Sequence, residues 1–112
     1  PHPIPLIADE SAHDSASLPH IVGRYDMVNI KLDKTGGPTE ALELKRQALD
    51  QGLGIMVGCM IGSSLAMAPA MLVAIDAKII DLDGPLLLAE DRKTPILFDG
   101  SIMRAPSRQL WG

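Results

Sequence analysis

Lys31 is the residue in this sequence whose placement most demands a chemical reason. Across residues 27–32, alternate side chains of a strand share a face, so Val28, Ile30 and Leu32 go to one side and Asn29, Lys31 and Asp33 to the other. A strand followed at once by Gly36-Gly37 and a helix is expected to be parallel and covered on both faces, where residues are normally apolar throughout. A lysine there belongs either to an edge strand with one wet face or to the carboxyl end of a barrel strand, where (β/α) enzymes carry their chemistry. In the first setting it is a salt-bridged group near the surface. In the second it is a general base, provided that nearby positive charge lowers its pKa toward neutrality.

Three more strand candidates end in unusual residues. Residues 6–8 run into Asp9-Glu10-Ser11, residues 55–57 into Gly58-Cys59-Met60, and residues 78–82 end in the run Asp81-Leu82-Asp83. A carboxylate at Asp9 suits a hard cation such as Mg²⁺, which prefers oxygen ligands and needs more than one; the plain alternative is a turn former or helix cap. Asp81 and Asp83, at i and i+2, point the same way if the strand runs through both, and two like charges in one place call for a metal or an ammonium group. A solvated turn before Gly84-Pro85 is the competing reading. Cys59 has no histidine placed to activate it, since His2, His13 and His20 all precede the second strand, and it reads as a packing or pocket residue.

The elements that must position these groups alternate along the chain. A short helix is expected over 15–22, with Pro19 either limiting its length or sitting in its first turn and Gly23 closing it. Pro38 opens a helix whose apolar side is Ala41, Leu42, Leu44, Ala48 and Leu49, with Glu40, Glu43, Lys45 and Arg46 outside and Gly52 as its stop. A third helix is expected over 63–75. The resulting βαβαβαβ series implies a parallel sheet with right-handed crossovers, which sets all four strand ends on one rim. After Gly84-Pro85 the apolar runs 86–88 and 96–98, the Asp99-Gly100 hairpin turn and Trp111 form a tail that asks for a covering surface.

The 112 residues suffice for one compact unit, with hydrophobic content of 46%. A net charge of −4 and only three aromatic residues argue against a nucleic-acid partner. A single cysteine excludes an internal disulfide and fits a cytoplasmic setting. No residue from Gly52 to Ile75 is charged, yet Gly58, Gly62, Ser63-Ser64 and Pro69 divide this stretch into a strand and a buried helix and not a membrane span. The start Pro1-His2-Pro3-Ile4-Pro5 has no signal-peptide pattern and is expected to be the middle of a longer chain.

The segments Ala8-Asp-Glu-Ser11, Asn29-Ile-Lys-Leu-Asp-Lys-Thr-Gly-Gly37, Gly58-Cys-Met-Ile-Gly-Ser-Ser64 and Asp81-Leu-Asp-Gly-Pro85 together resemble successive strand ends of the enolase superfamily. The resemblance falls within the muconate-lactonizing subgroup, is closest to the alanine–glutamate dipeptide epimerases, and runs from about Pro5 to Trp111. It implies an α/β fold, the C-terminal half of a (β/α)7β TIM-like barrel, with the N-terminal capping domain and first barrel strands absent. It also implies that Asp9 is one of three carboxylate ligands to Mg²⁺ and that Lys31 is the acid/base on one face of the substrate. Asp81 and Asp83 would hold the α-ammonium of a dipeptide, while Met60 and Cys59 would line the pocket. The implied reaction is a 1,1-proton transfer through an enolate, with a second lysine and two metal ligands that have no counterpart here. By the same resemblance the partners are a small dipeptide of cell-wall peptide metabolism and the missing N-terminal part of the same chain, with homo-oligomerisation left open. A cycloisomerase or o-succinylbenzoate synthase, or a non-catalytic remnant of the fold, are the alternatives.

Overall fold

The computed structural model describes residues 3–112, so the Pro1-His2 start and the reading of His2 lie outside the described residues. Strands β1 (Ile7–Ala8), β2 (Met27–Ile30), β3 (Gly54–Val57) and β4 (Ile79–Ile80) form one parallel sheet in chain order. Parallel neighbours require crossovers, and here these are helical. A 3-10 turn (Ser15–Ser17) with α1 (Leu18–Ile21) joins β1 to β2. Next come α2 (Leu32–Thr35) with α3 (Pro38–Asp50) between β2 and β3, and α4 (Ser64–Val73) between β3 and β4. The four parallel strands and the helical layer are those expected from the alternation of patterns.

One face of the sheet is the core. The register sets Val28 beside Ile55 and Ile30 beside Val57, and this apolar row packs on Leu18, Ile21, Leu44 and Val73 from the helices. Each such side chain, fully buried, favours folding by roughly 1.5–3 kcal/mol. The opposite face carries Ile7, Met27, Asn29 and Met56, so Asn29 is buried on the side away from the helices.

β2 is shorter than expected. It ends at Ile30; Lys31 keeps extended backbone (φ −126°, ψ 128°) and N-caps α2, so Leu32 and Asp33 leave the strand's alternation and enter a single helical turn. Gly36 ends that turn in the left-handed region (φ 77°), and Gly37 (φ 143°) followed by Pro38 starts α3, conformations that glycine adopts without a Cβ clash. On α3 the buried stripe is Ala41, Leu44 and Ala48, whereas Leu42 and Leu49, expected on the apolar side, are about half exposed. Lys45, expected to face solvent, donates instead to the Val73 carbonyl (2.9 Å) and to the Ile75 carbonyl, satisfying the free C-terminal acceptors of α4.

The uncharged stretch becomes β3, a turn and α4, and no helix among the described residues is long and apolar enough to cross a membrane. The tail forms a 3-10 turn (Gly84–Leu87) and the antiparallel hairpin β5 (Phe98–Asp99) and β6 (Ile102–Met103), turned at Gly100. Its Leu86, Leu87, Leu97 and Ile102 are exposed, as are Ile79 and Ile80 on β4. These groups make the uncovered apolar surface that the tail's composition predicts.

Candidate functional site

Because the four strands run parallel, the residues that follow β1, β2, β3 and β4 lie along one rim of the sheet. Asp9 follows Ala8, Lys31 follows Ile30, Gly58-Cys59-Met60 follow Val57, and Asp81 follows Ile80. The structure brings Asp9 and Lys31 into contact: Lys31 Nζ is 3.0 Å from Asp9 Oδ1, with the Lys31 side chain only 12% exposed.

A second ammonium shares that oxygen. Lys34, one helical turn beyond Lys31 and almost wholly buried, sits 2.9 Å from Asp9 Oδ1 and also donates to the carbonyls of Asp9 (2.6 Å) and Asn29 (3.1 Å). Asn29 Nδ2 donates to Asp9 Oδ2 at 3.1 Å. Burial alone pushes the Asp9 carboxyl up, but the hydrogen bonds from Lys34, Lys31 and Asn29 and the charge of Lys34 outweigh it and hold the group below its ordinary 3.8. The reading of the sequence named Asp9 and Lys31 and missed Lys34 as their partner. The signal was present: a lysine three residues past Lys31, in a helical turn, returns over the strand end.

Asn29 Oδ1 is buried and has no hydrogen-bond partner among the described residues, and the space beside it is left by Gly58, where a Cβ would lie 2.8 Å from that oxygen. Glycine at 58 therefore keeps Asn29 in place, and Asn29 keeps the Asp9 carboxylate oriented. A carboxylate offers about four acceptor directions. Two on Oδ1 and one on Oδ2 are used by Lys31, Lys34 and Asn29, which leaves Oδ2 able to take a hard cation as one ligand among several. Among the described residues no group of three or more His, Cys, Asp or Glu could hold a metal ion, so Asp9 fits the chemistry of Mg²⁺ as a single contributor only.

Asp81 and Asp83 lie at the other end of the rim, both exposed, with no salt bridge to either among the described residues. Both border an apolar cavity of about 650 Å³ between α4, β4 and the hairpin, with Met71, Leu82, Phe98 and Met103. Strand alternation is not what brings them together, because β4 ends at Ile80 and Asp83 has turn-like backbone (φ −83°, ψ 0°) opening the 3-10 turn. Cys59 and Met60 do not line that cavity. Cys59 is half-buried and Met60 about half exposed. Burial pushes the Cys59 thiol up, the Gly84 backbone N–H pulls it back in part, and the charges of Asp81, Asp83 and Asp33 add to the rise. A thiol raised in this way is a slow nucleophile in the folded protein. Those same charges show that Asp33, Asp81 and Asp83 converge on this part of the rim as a negative field that a cation would neutralise.

Behind the rim, Ser64 is fully buried at the first turn of α4 and is held by Asp91 of the tail. The Ser64 N–H donates to Asp91 Oδ1 (2.9 Å), the Ser64 hydroxyl donates to Asp91 Oδ2, and the Ile96 N–H donates to Ser64 Oγ (2.9 Å). Asp91 was not singled out from the sequence, since nothing local announces a cap that arrives from 27 residues away.

Comparison with known proteins follows the same outline. Residues 2–107 match the family described as enolase C-terminal domain-like. The N-acetyl-D-glutamate racemase of Pseudoalteromonas sp is 54% identical over 110 residues, which are 98% of this chain and 35% of the relative. The L-Ala-D/L-Glu epimerase of Escherichia coli K12 is 48% identical over 97 residues, 87% of this chain and 30% of the relative. A crystal structure of an enolase family member from Agrobacterium tumefaciens with homology to dipeptide epimerases, holding sodium and L-Ala-L-Glu, superposes with a TM-score of 0.96 at 54% identity. It covers 100% of this chain and 34% of the other. A dipeptide epimerase from Cytophaga hutchinsonii, complexed with Mg and D-Ala-L-Val, gives a TM-score of 0.82 at 31% identity over 92% of this chain and 30% of the other. The chain spans about a third of the length of the curated relatives it matches.

Proposed function

The chain belongs to the enolase C-terminal domain-like family, and from that premise we propose that its 112 residues are the C-terminal part of the catalytic barrel of a dipeptide epimerase. The substrate class is L-Ala-D/L-Glu and related dipeptides, and the reaction is a 1,1-proton transfer at the α-carbon of the C-terminal residue. The observation that carries this reading is the contact of Lys31 with Asp9 on the strand-end rim, the rim whose other end bears Asp81 and Asp83.

In this reading Lys31 takes or returns the α-proton on one face of the substrate. Asp9 orients the Lys31 ammonium, and Lys34 and Asn29 fix Asp9. Asp81 and Asp83 receive the substrate's α-ammonium, which supplies the cation that their pairing lacks, and Met60 and Cys59 border the bound peptide. A bound Mg²⁺, with Asp9 as one ligand, would supply Lewis-acid stabilisation of the negative charge that builds on the substrate carboxylate. The second base and the remaining ligands are proposed to come from outside these residues, so the chain alone is expected to be inactive. A cytoplasmic location goes with this substrate class.

The 54% identity to an N-acetyl-D-glutamate racemase favours a second reading, an N-acylated glutamate substrate with no free ammonium. The two readings part at Asp81 and Asp83. In D₂O, a full-length polypeptide carrying this chain is expected to exchange the C-terminal α-proton of L-Ala-L-Glu, and Asp81→Asn/Asp83→Asn should lower kcat/KM by about a hundredfold, as for a lost charge pair. Exchange confined to N-acetyl-glutamate and indifferent to those substitutions would decide for the racemase.

A further inference from the structure

The N-terminus of α4 has no cap of its own, because Ser63 stands at the N-cap position without a side-chain hydrogen bond. The cap is supplied by Asp91, whose carboxylate takes the Ser64 N–H and hydroxyl while also accepting from the Arg92 N–H at 2.8 Å. Helix starts leave their first N–H groups without intrahelical partners, so this carboxylate both satisfies a donor and meets the positive end of the helix dipole.

What α4 begins from is the turn 58–63, which bears Cys59 and Met60. That turn is pressed against Gly84, where a Cβ would come within 2.6 Å of the Met60 carbonyl oxygen, 3.2 Å of the Gly62 nitrogen and 3.3 Å of Cys59 Sγ. Gly84 directly follows Asp83, so the position of the turn and that of the Asp81/Asp83 segment are fixed together. The tail thus closes a circuit: Asp91 to Ser64, Ser64 to the turn, the turn to Gly84, and Gly84 through the 3-10 turn back toward Asp91.

We propose that Asp91 is a positioning residue for the substrate rim, holding the Cys59-Met60 turn and, through Gly84, the Asp81/Asp83 carboxylates in register. Its bearing on substrate rests on the dipeptide reading above. Asp9 and Lys31 follow β1 and β2 and lie outside this circuit, so Asp91 is expected to govern binding of substrate more than proton transfer.

The test uses the full-length polypeptide carrying this chain, with iodoacetamide labelling of Cys59 followed by peptide mass spectrometry as a readout independent of activity. Asp91→Ala should label Cys59 about tenfold faster than wild type, the effect of losing a helix cap on local opening. KM for L-Ala-L-Glu should rise about tenfold while kcat stays within about threefold. Asp91→Asn should fall between wild type and Asp91→Ala, since its amide oxygen still accepts from the Ser64 N–H while the buried Ser64 hydroxyl loses its acceptor and the helix start loses its negative charge. Ser64→Ala, which keeps the backbone donor and loses the hydroxyl, should give an intermediate rate and serves if Asp91→Ala does not fold. Labelling that is unchanged in folded Asp91→Ala or Ser64→Ala, or Asp91→Asn as impaired as Asp91→Ala, would overturn the proposal. A wild type that leaves L-Ala-L-Glu unchanged while Cys59 still responds to Asp91→Ala would sink the dipeptide reading and uphold the positional role.

Discussion

Asp9 and Lys34 are tied together twice: the Lys34 ammonium donates to Asp9 Oδ1 at 2.9 Å and to the Asp9 carbonyl oxygen at 2.6 Å. With a third bond to the Asn29 carbonyl, Lys34 joins the end of β1 to the end of β2 and is fully engaged. Lys31 makes one contact to the same carboxylate oxygen. On the proposed reading the two lysines divide the work, with Lys34 holding the site and Lys31, which has the fewer bonds, exchanging the proton.

This division predicts opposite phenotypes. Lys34→Met removes three hydrogen bonds at once, although the Asp9 carboxylate keeps Lys31 and Asn29 and the Asp9 carbonyl keeps the Ala12 N–H, and should lower unfolding stability by about 2 kcal/mol, less than a fully buried pair because Asp9 is partly exposed. Lys31→Met should cost less than about 1 kcal/mol yet remove activity. Urea unfolding of both variants, read beside their circular dichroism, tests this; equal stability losses would contradict it.

The Asp9 carboxyl, held below its ordinary 3.8 in the folded protein, makes a prediction in pH. A folded pKa lower than the unfolded one contributes stability that is fully present above the unfolded value and is lost as pH falls through the folded value. Wild type and Asp9→Asn should therefore differ by a constant amount above about pH 5 and converge as the pH falls below about 4. Denaturant midpoints measured from pH 7 down to 3 give the answer, and a gap that widens in acid would refute the assignment.

Gly58 and Gly84 are required by contact, not by backbone angle. A methyl group at 58 meets the Asn29 amide at 2.8 Å, and one at 84 meets the Met60 carbonyl oxygen at 2.6 Å. Each alanine substitution should destabilise by about 1–3 kcal/mol, the usual range for overpacking. Their functional signatures should differ. Gly58→Ala displaces Asn29 and hence Asp9, lowering kcat; Gly84→Ala displaces the Met60 turn and the Asp83 end, raising KM. Steady-state kinetics on the two variants separates these effects, and a Gly58→Ala enzyme with normal kcat would remove Asn29 from the account.

The rim was legible in the sequence because it depends on alternation and direction. A parallel βαβ series sends Asp9, Lys31 and Asp81 to one edge whatever the details of packing, and the face shared by Asn29 and Lys31 follows from the two-residue period alone. What escaped depends on contacts between distant segments or on where an element stops. Leu32 was expected on β2, but the chain turns into α2 directly after Lys31, and that same turn returns Lys34 to Asp9. Leu42 and Leu49 were expected on the buried side of α3, yet the stripe that meets the sheet is the narrower one of Ala41, Leu44 and Ala48. Asp81 and Asp83 border one cavity, but by way of a turn and not of the longer strand that the two-residue period assumed.

The central claim, that Lys31 exchanges the substrate α-proton beside Asp9, is tested most directly by following deuterium incorporation into L-Ala-L-Glu by NMR. The comparison is between a full-length polypeptide carrying this chain and its Lys31→Met variant. The account predicts exchange at the C-terminal α-carbon by the wild type and a loss of at least about a thousandfold in the variant, the scale of a missing general base, with folding intact. Exchange that continues at the wild-type rate in Lys31→Met would contradict it.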